Sequence, residues 1–207
     1  MQNLNSFMED FDPRKEYILE NDAVLLRPLQ KDDLQHLLHF AMKEPEIWKY
    51  SLVPAAGEEA LQTYINTAVQ NRATGNEYPF IVFDKRTQQY AGSTRFYDIQ
   101  PQYRSLQLGY TWYGGAFQGS KLNKNCKLLL LSFAFETLGM RRVEFRADND
   151  NERSKAAMKS IGCIEEGVLR NHLLTHTGAN RNSIILSILK EEWENGVKEK
   201  LIKKITG

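Results

Sequence analysis

The sequence predicts a mixed α+β domain folded around a central sheet. Three strand-like segments stand in a row at Tyr78 to Phe83, Tyr90 to Asp98 and Leu106 to Trp112. Polar turn sequences at 84–89 and 101–105 separate them, so the three should form an antiparallel meander. After the meander, glycine-containing sequence opens an apolar run that is followed by a strand, a helix and a hairpin, which completes the α+β pattern.

In chain order, residues 1–20 are polar and acidic with Phe7, Phe11, Tyr17 and Ile18 scattered among them, and read as an arm or docking segment. Val24 to Leu29 is a short apolar strand stopped by Pro28, which cannot donate to a ladder. Asp32 or Asp33 can cap a helix whose Leu34, Leu37, Leu38 and Ala41 recur at helical spacing. A second helix follows from about Glu58 to Arg72 and ends at Gly75. Asn123 to Leu138, apolar on nearly every side, is a buried helix closed by Gly139. Arg142 to Ala147 is a strand, and Asn149 or Asn151 can cap the helix that runs to Ile161. Strands at about Cys163 to Leu174 and Ser183 to Leu189 flank the turn at 176–180, and Glu191 to Ile205 is a charged amphipathic helix. The organisation expected is an arm at 1–20, one domain at 21–195 and a charged helix or tail at 196–207.

Composition narrows the function classes. With 207 residues the chain buries about 70% of its unfolded surface as one domain. Apolar residues at 42% and charged residues at 26% exclude a disordered, collagen-like or disulfide-scaffold protein. The net charge of +1 gives no whole-surface grip on nucleic acid or anionic membrane, so neither is expected as a partner. Cys126 and Cys163 lack metal-ligand spacing and fit buried free thiols in a reducing compartment, so a cytoplasmic location and no metal are expected. No apolar stretch is long enough to span a bilayer.

The chemistry-bearing stretch lies between Tyr110 and Arg170. Gln118-Gly119-Ser120-Lys121-Leu122-Asn123 stands where a strand runs through a loop into a helix, and such a junction collects free N–H groups at the positive end of a helix dipole. It lacks the Walker and Rossmann spacings, and a tight turn that only closes the helix explains it as well. The wider pattern adds Gly109-Tyr110-Thr111-Trp112, Lys127-Leu128-Leu129-Leu130, Phe133-Ala134-Phe135-Glu136, Arg142-Val143-Glu144-Phe145, Asp148-x-x-Asn151-x-x-Ser154, Ile161-Gly162, Glu165-Glu166-Gly167-Val168-Leu169-Arg170 and Glu192-Trp193. Together, over about Val24 to Trp193, these resemble the GNAT acetyltransferase superfamily, and specifically its RimJ/RimL-like branch, which acetylates protein N-terminal amines and sometimes small amines.

The resemblance implies a mostly antiparallel seven-stranded sheet, flanked by helices, whose fourth and fifth strands splay apart around acetyl-CoA. It implies cofactor contacts at Trp112, Tyr113, Gln118, Gly119, Ser120, Lys121, Leu122, Asn123, Asn151 and Ser154, and an amine acceptor that is either a peptide N-terminus or a small molecule. Acetyl transfer needs a neutral amine, a polarised thioester carbonyl and a proton for the departing thiolate. Similar enzymes place a tyrosine where Met158 stands, so the hydroxyl of Ser154 becomes the candidate proton donor, against a reading in which it only caps a helix. Related sequences often carry glutamate at the position of Gln107, which leaves water, Glu165, Glu166 or His172 as candidate bases. Lys121 also departs from the small residue usual there. These three departures motivate a second reading, a CoA-binding or regulatory module of the same fold with weak turnover. Trp48, Tyr50, Tyr97 and Tyr103 are candidates for an acceptor pocket, and a homodimer is the symmetric assembly to expect.

Overall fold

The structure, a computed structural model, describes residues 11–207. It holds one sheet of eight strands: β1 (Leu19–Glu20), β2 (Val24–Pro28), β3 (Glu77–Asp84), β4 (Gln89–Gln100), β5 (Ser105–Tyr113), β6 (Arg142–Asp148), β7 (Ile164–Leu174) and β8 (Asn180–Leu189). Their spatial order is β1-β2-β3-β4-β5-β6-β8-β7, antiparallel throughout except for the β5–β6 pair. The expected seven strands are present, and the eighth is the two-residue β1. Of the segment read as an arm, residues 1–10, Phe7 included, lie outside the described part. Phe11 stacks on Tyr17 at 5.7 Å between ring centres, and Tyr17 leans on Tyr78 and Phe133. The Tyr78 hydroxyl ties this segment down by accepting from the Tyr17 N–H and donating to the Lys15 carbonyl. Scattered aromatics with no regular period therefore form a cluster that leads the chain into β1.

Helices α1 (Leu34–Lys43) and α2 (Glu58–Ala73) follow β2; α3 (Leu122–Ser132) links β5 to β6, and α4 (Glu152–Ser160) links β6 to β7. Asp33 begins α1 but does not cap it; its carboxylate is held by Arg27 at 2.6 Å and by the Gln30 N–H. The apolar run expected as one helix to residue 138 is α3 continued by a wider π-helical turn, Phe133–Thr137. At the C-terminus the expected single helix is interrupted: non-helical backbone at Asn195 and Gly196 kinks it before the helix Lys198–Thr206. Trp193 is buried beside Phe135 and donates from Nε1 to Glu136. Both cysteines are buried free thiols.

Two departures from regular pairing position the site. Ser93 pairs with Trp112 and Arg95 with Gly109, so Thr94 alone stands opposite Tyr110 and Thr111, a bulge in β5. Tyr110 takes a left-handed backbone, φ 49°, and its ring lies 4.2 Å from the buried Arg95 guanidinium, which also covers Tyr64 and pairs with Glu77 at 2.6 Å. The second departure is that β5 and β6 pair only through Ser105–Arg142, Leu106–Val143 and Gln107–Glu144. Beyond Gln107 the strands part, as expected for the fourth and fifth strands of the resemblance.

Gly92 lets β4 and β5 approach next to the bulge. Its φ is +152°, and a Cβ there would sit 2.0 Å from the Trp112 carbonyl oxygen. Gly92→Ala should therefore cost about 2–4 kcal/mol, combining backbone strain with overpacking. A denaturant melt that places the variant within about 0.5 kcal/mol of the parent would contradict this register.

Candidate active site

Parting of the strands opens a cavity of about 660 Å³. Leu108 to Tyr113 of β5 form one wall and Phe145 to Asp148 of β6 the other. The first turn of α4, the loop before α3, residues 47–52 and parts of β7 and β8 close it around. Strand groups of β5 past Gln107 have no ladder partner on this side, so they are free to bond an extended ligand as though it were a strand.

Most of the sequence-derived site residues meet here. Trp112, Tyr113, Gln118, Gly119, Asn123, Asn151, Ser154 and His172 line the cavity, as do Trp48, Tyr50 and Tyr97. Gln118 donates to the Tyr113 carbonyl and accepts from Arg153, which ties the loop to α4. Gly119 has φ +72° and nothing within 4 Å of where a Cβ would be, so the loop presents open backbone at the mouth. Asn151 caps α4 by accepting the Ser154 N–H at 3.0 Å. The Ser154 hydroxyl is therefore not the cap, and among the described residues it has no hydrogen-bond partner of its own. His172 Nδ1 is buried without a partner.

Other candidates lie elsewhere. Ser120 and Leu122 shape the loop without lining the cavity: the Ser120 hydroxyl donates to Phe117 O and accepts the Leu122 N–H. Lys121 is exposed at the start of α3, outside the cavity wall. Glu166 does not line the cavity because Arg142 grips both its oxygens and Ser187 donates to it, which holds its carboxyl below the usual range. Glu165 is paired with Lys159 at 2.8 Å, and Tyr103 is an exposed surface residue. Met158 is buried in the cavity wall, where it supplies apolar surface only.

Two cavity residues carry charge to which the sequence pattern assigned no role. Lys127, one turn and a half into α3, is buried and donates to Thr111 Oγ1 at 2.9 Å, while Thr111 shares a 2.7 Å bond with Thr94. Its ammonium also lies over the Phe145 ring, and no carboxylate pairs with it among the described residues. Burial pushes its pKa down from 10.5 to about 8. At the other end, Asp98 receives the Gln107 side-chain amide at 2.6 Å and that of Gln100 at 2.6 Å. Of the remaining cavity charges, Arg146 is paired with Glu144 and Arg181 faces Asp148, while the exposed Arg153 is bonded to the neutral Gln118 side chain.

A sheet parted around such a cavity, with an open glycine loop at the mouth and unpaired strand groups along one lip, is the architecture of an acyltransferase. The chain matches the acetyltransferase (GNAT) domain over residues 23–164. It belongs to the GNAT acetyltransferase family. A relative in Bacillus subtilis called "Putative ribosomal N-acetyltransferase YdaF" is 26% identical over 179 residues, spanning 84% of this chain and 95% of the relative. Among solved structures, a GCN5-related N-acetyltransferase from Brucella melitensis shares the fold with a TM-score of 0.85 at 22% identity, over 95% of this chain and 90% of that one. RimJ of Mycobacterium smegmatis, solved with CoA-disulfide, shares it with a TM-score of 0.73 at 19% identity, over 93% and 95%. Among the described residues no helix is long and apolar enough to cross a membrane.

Lys127 gives the site a measurable signature. The folded protein releases this proton near pH 8 and the unfolded chain near 10.5, so between those values the unfolded state holds more protons and Lys127 lets stability rise with pH. Below pH 8 the buried ammonium is fully destabilising. Lys127→Met should raise stability by an amount that is largest below pH 8, on the order of 3 kcal/mol, and that shrinks toward zero as pH climbs past about 10.5. Denaturant melts of both proteins across that range read the difference directly; a pH-independent gap would mean that Lys127 is not held as a buried cation.

Proposed function

We propose that this protein is an acetyl-CoA-dependent N-acetyltransferase that moves an acetyl group to a primary amine. One observation carries the reading: the cavity follows an unpaired strand lip from the open backbone at Gly119 to a free hydroxyl at Ser154. The residues present suit the cofactor. The N–H groups at the start of α3 and its dipole favour a pyrophosphate, and β5 beyond Gln107 offers amide partners for the pantetheine arm. Bound there, acetyl-CoA supplies an activated acyl carbonyl.

The chain's own residues have separable tasks. Trp112 and Tyr113 lie just past the bulge, and their strand contributes backbone N–H donors for charge on the acyl oxygen. The Ser154 hydroxyl is the proton donor for the departing sulfur. Lys127, behind Thr111, adds a fixed positive charge where negative charge develops. Trp48, Tyr50 and Tyr97 shape the acceptor side. The name of the Bacillus relative, a ribosomal N-acetyltransferase, supports a ribosomal acceptor; of the amines a protein offers, the N-terminal one, with a pKa of about 8, loses its proton most easily near physiological pH.

The reading of a CoA-binding module without turnover rested on Gln107, Met158 and Lys121. A carboxylate stands beside Gln107, a free hydroxyl stands near Met158, and Lys121 lies outside the cavity. None of the three departures removes a group that the proposed chemistry needs: water can take the amine's proton, Ser154 can supply one to the sulfur, and Lys121 does not enter the cavity. Titration calorimetry with acetyl-CoA, followed by thiol release over a panel of peptides and small amines, tests the proposal: binding without release on any amine would favour the module instead.

Two variants probe the assigned roles. Gly119→Val should weaken acetyl-CoA binding at least tenfold, about 1.4 kcal/mol, because a branched residue is strained at φ +72° and its side chain enters the mouth. Ser154→Ala should lower kcat by roughly tenfold to a thousandfold with little change in acetyl-CoA affinity or melting temperature, since the cap belongs to Asn151. An unchanged kcat in folded Ser154→Ala would remove the hydroxyl from the mechanism.

A further inference from the structure

Gln107 is buried, and its two amide atoms fare differently. Nε2 donates to Asp98 Oδ2 at 2.6 Å, whereas Oε1 is buried with no donor. The carboxylate settles this orientation, because the flipped amide would set oxygen against oxygen. An acceptor stripped of water and left without a donor is costly, and here it belongs to a side chain that lines the cavity.

Asp98 supplies the second half. Its two oxygens receive only side-chain amides, from Gln107 and Gln100, and no cation pairs with it among the described residues. Its backbone is fixed in the left-handed region at φ 46°, which directs the carboxylate across to β5. It too lines the cavity, as do Tyr97 and Tyr110, whose rings meet edge to face at 5.0 Å. Thr94, the neighbour of Lys127, lies four residues back along β4, roughly 13 Å of strand. The cavity therefore carries a buried cation without a counter-ion at Lys127 and, toward the end that opens to water, an exposed carboxylate at Asp98 that no cation pairs with among the described residues.

A partner for this end must bring positive charge and N–H donors together. A phosphate or carboxylate would face an anion, and a hydroxyl would leave the charge unmatched. A primary ammonium has three donors, enough for the Asp98 carboxylate and Gln107 Oε1 at once, and aromatic faces nearby favour a cation. We propose that Asp98 and Gln107 form the site where the acceptor's primary amine first docks as its ammonium, before one proton passes to water and the neutral amine attacks the thioester. The assignment rests on the N-acetyltransferase reading and adds to it the residues that select the acceptor: primary amines are admitted, and fully substituted ammonium groups, which have no N–H for Gln107, are not.

The test uses the full chain saturated with acetyl-CoA and two simple probes, n-butylammonium and tetramethylammonium, followed through the Gln107 side-chain amide signals by NMR. n-Butylammonium should shift those signals and tetramethylammonium should not. Asp98→Asn, which keeps the side-chain shape and tolerates positive φ, should weaken n-butylammonium at least tenfold while leaving acetyl-CoA affinity unchanged. Asp98→Asn combined with Gln107→Glu moves the carboxylate to the adjacent side chain and should recover binding. With any amine that the parent acetylates, Asp98→Asn should raise KM far more than it lowers kcat. Equal n-butylammonium affinity in parent and Asp98→Asn, or no recovery in a folded double variant, overturns the docking site. Failure of the parent to acetylate any amine would instead defeat the N-acetyltransferase reading, and the ammonium titration would still decide the site.

Discussion

The bulge at Tyr110 and Thr111 is the constraint from which the cavity follows. An extra residue in β5 bends that strand away from the line β6 would need to follow, and pairing between them ends after three residues. Left alone, a left-handed tyrosine would relax. It is held because Arg95, buried and anchored on Glu77, lies between the rings of Tyr64 and Tyr110. The clamp is cheap to keep desolvated, since guanidinium is weakly hydrated and stacks well on aromatic faces. Gly92 completes it by removing the one side chain that would push β4 off the bulged strand. A buried ion pair, two rings and a glycine thus preserve an irregularity that ordinary sheet pairing would erase.

Charge in the cavity is distributed with the same economy. Salt bridges neutralise Arg142, Glu144, Arg146 and Glu166 around the lower part of the parted strands. Among the described residues that line the cavity, Lys127, Asp98 and Arg153 have no counter-ion, and each is held by neutral groups: two threonine hydroxyls, two amides and the Gln118 amide oxygen respectively. Neutral partners fix a charge in place without cancelling it. Such preorganised charge does not need to reorient as a reaction proceeds, which is why it is effective in catalysis.

Much of this was legible from the chain. The meander, the α3 helix, strand β6 and the closing hairpin follow from alternation and turn chemistry, whereas sequence leaves the α4 cap between Asn149 and Asn151, of which the structure uses Asn151. Glu166 was not resolvable, because whether a strand glutamate faces a cavity or an arginine depends on register; Arg142, from another strand, captures it. Asp98 was hidden for a related reason. It meets Gln107 across β4 and β5 at a place where the ladder is irregular, and local pattern does not report cross-strand approach at a bulge. Lys127 was visible within an apolar run, yet its burial depends on the threonines of two other strands. β1 was missed because two residues are too few to show a period.

The ladder between the β1–β5 side of the sheet and the β6–β8 side is three residue pairs long, and the rest of the join is made by the crossover helix α3 and by bonds such as those of Arg153 to Gln118 and Arg181 to the Tyr50 carbonyl. In most sheets the ladder itself supplies that cohesion along its full length. Here the missing rungs coincide with the cavity, so on the proposed function a molecule that bonds both lips would act as a removable strand and close the seam. Binding then belongs to the folding equilibrium as well as to the reaction. At a free ligand concentration of about 100 times Kd, linkage adds about 2.7 kcal/mol to the stability of the native state. The abundance of its own substrate becomes one of the conditions that keeps this protein whole.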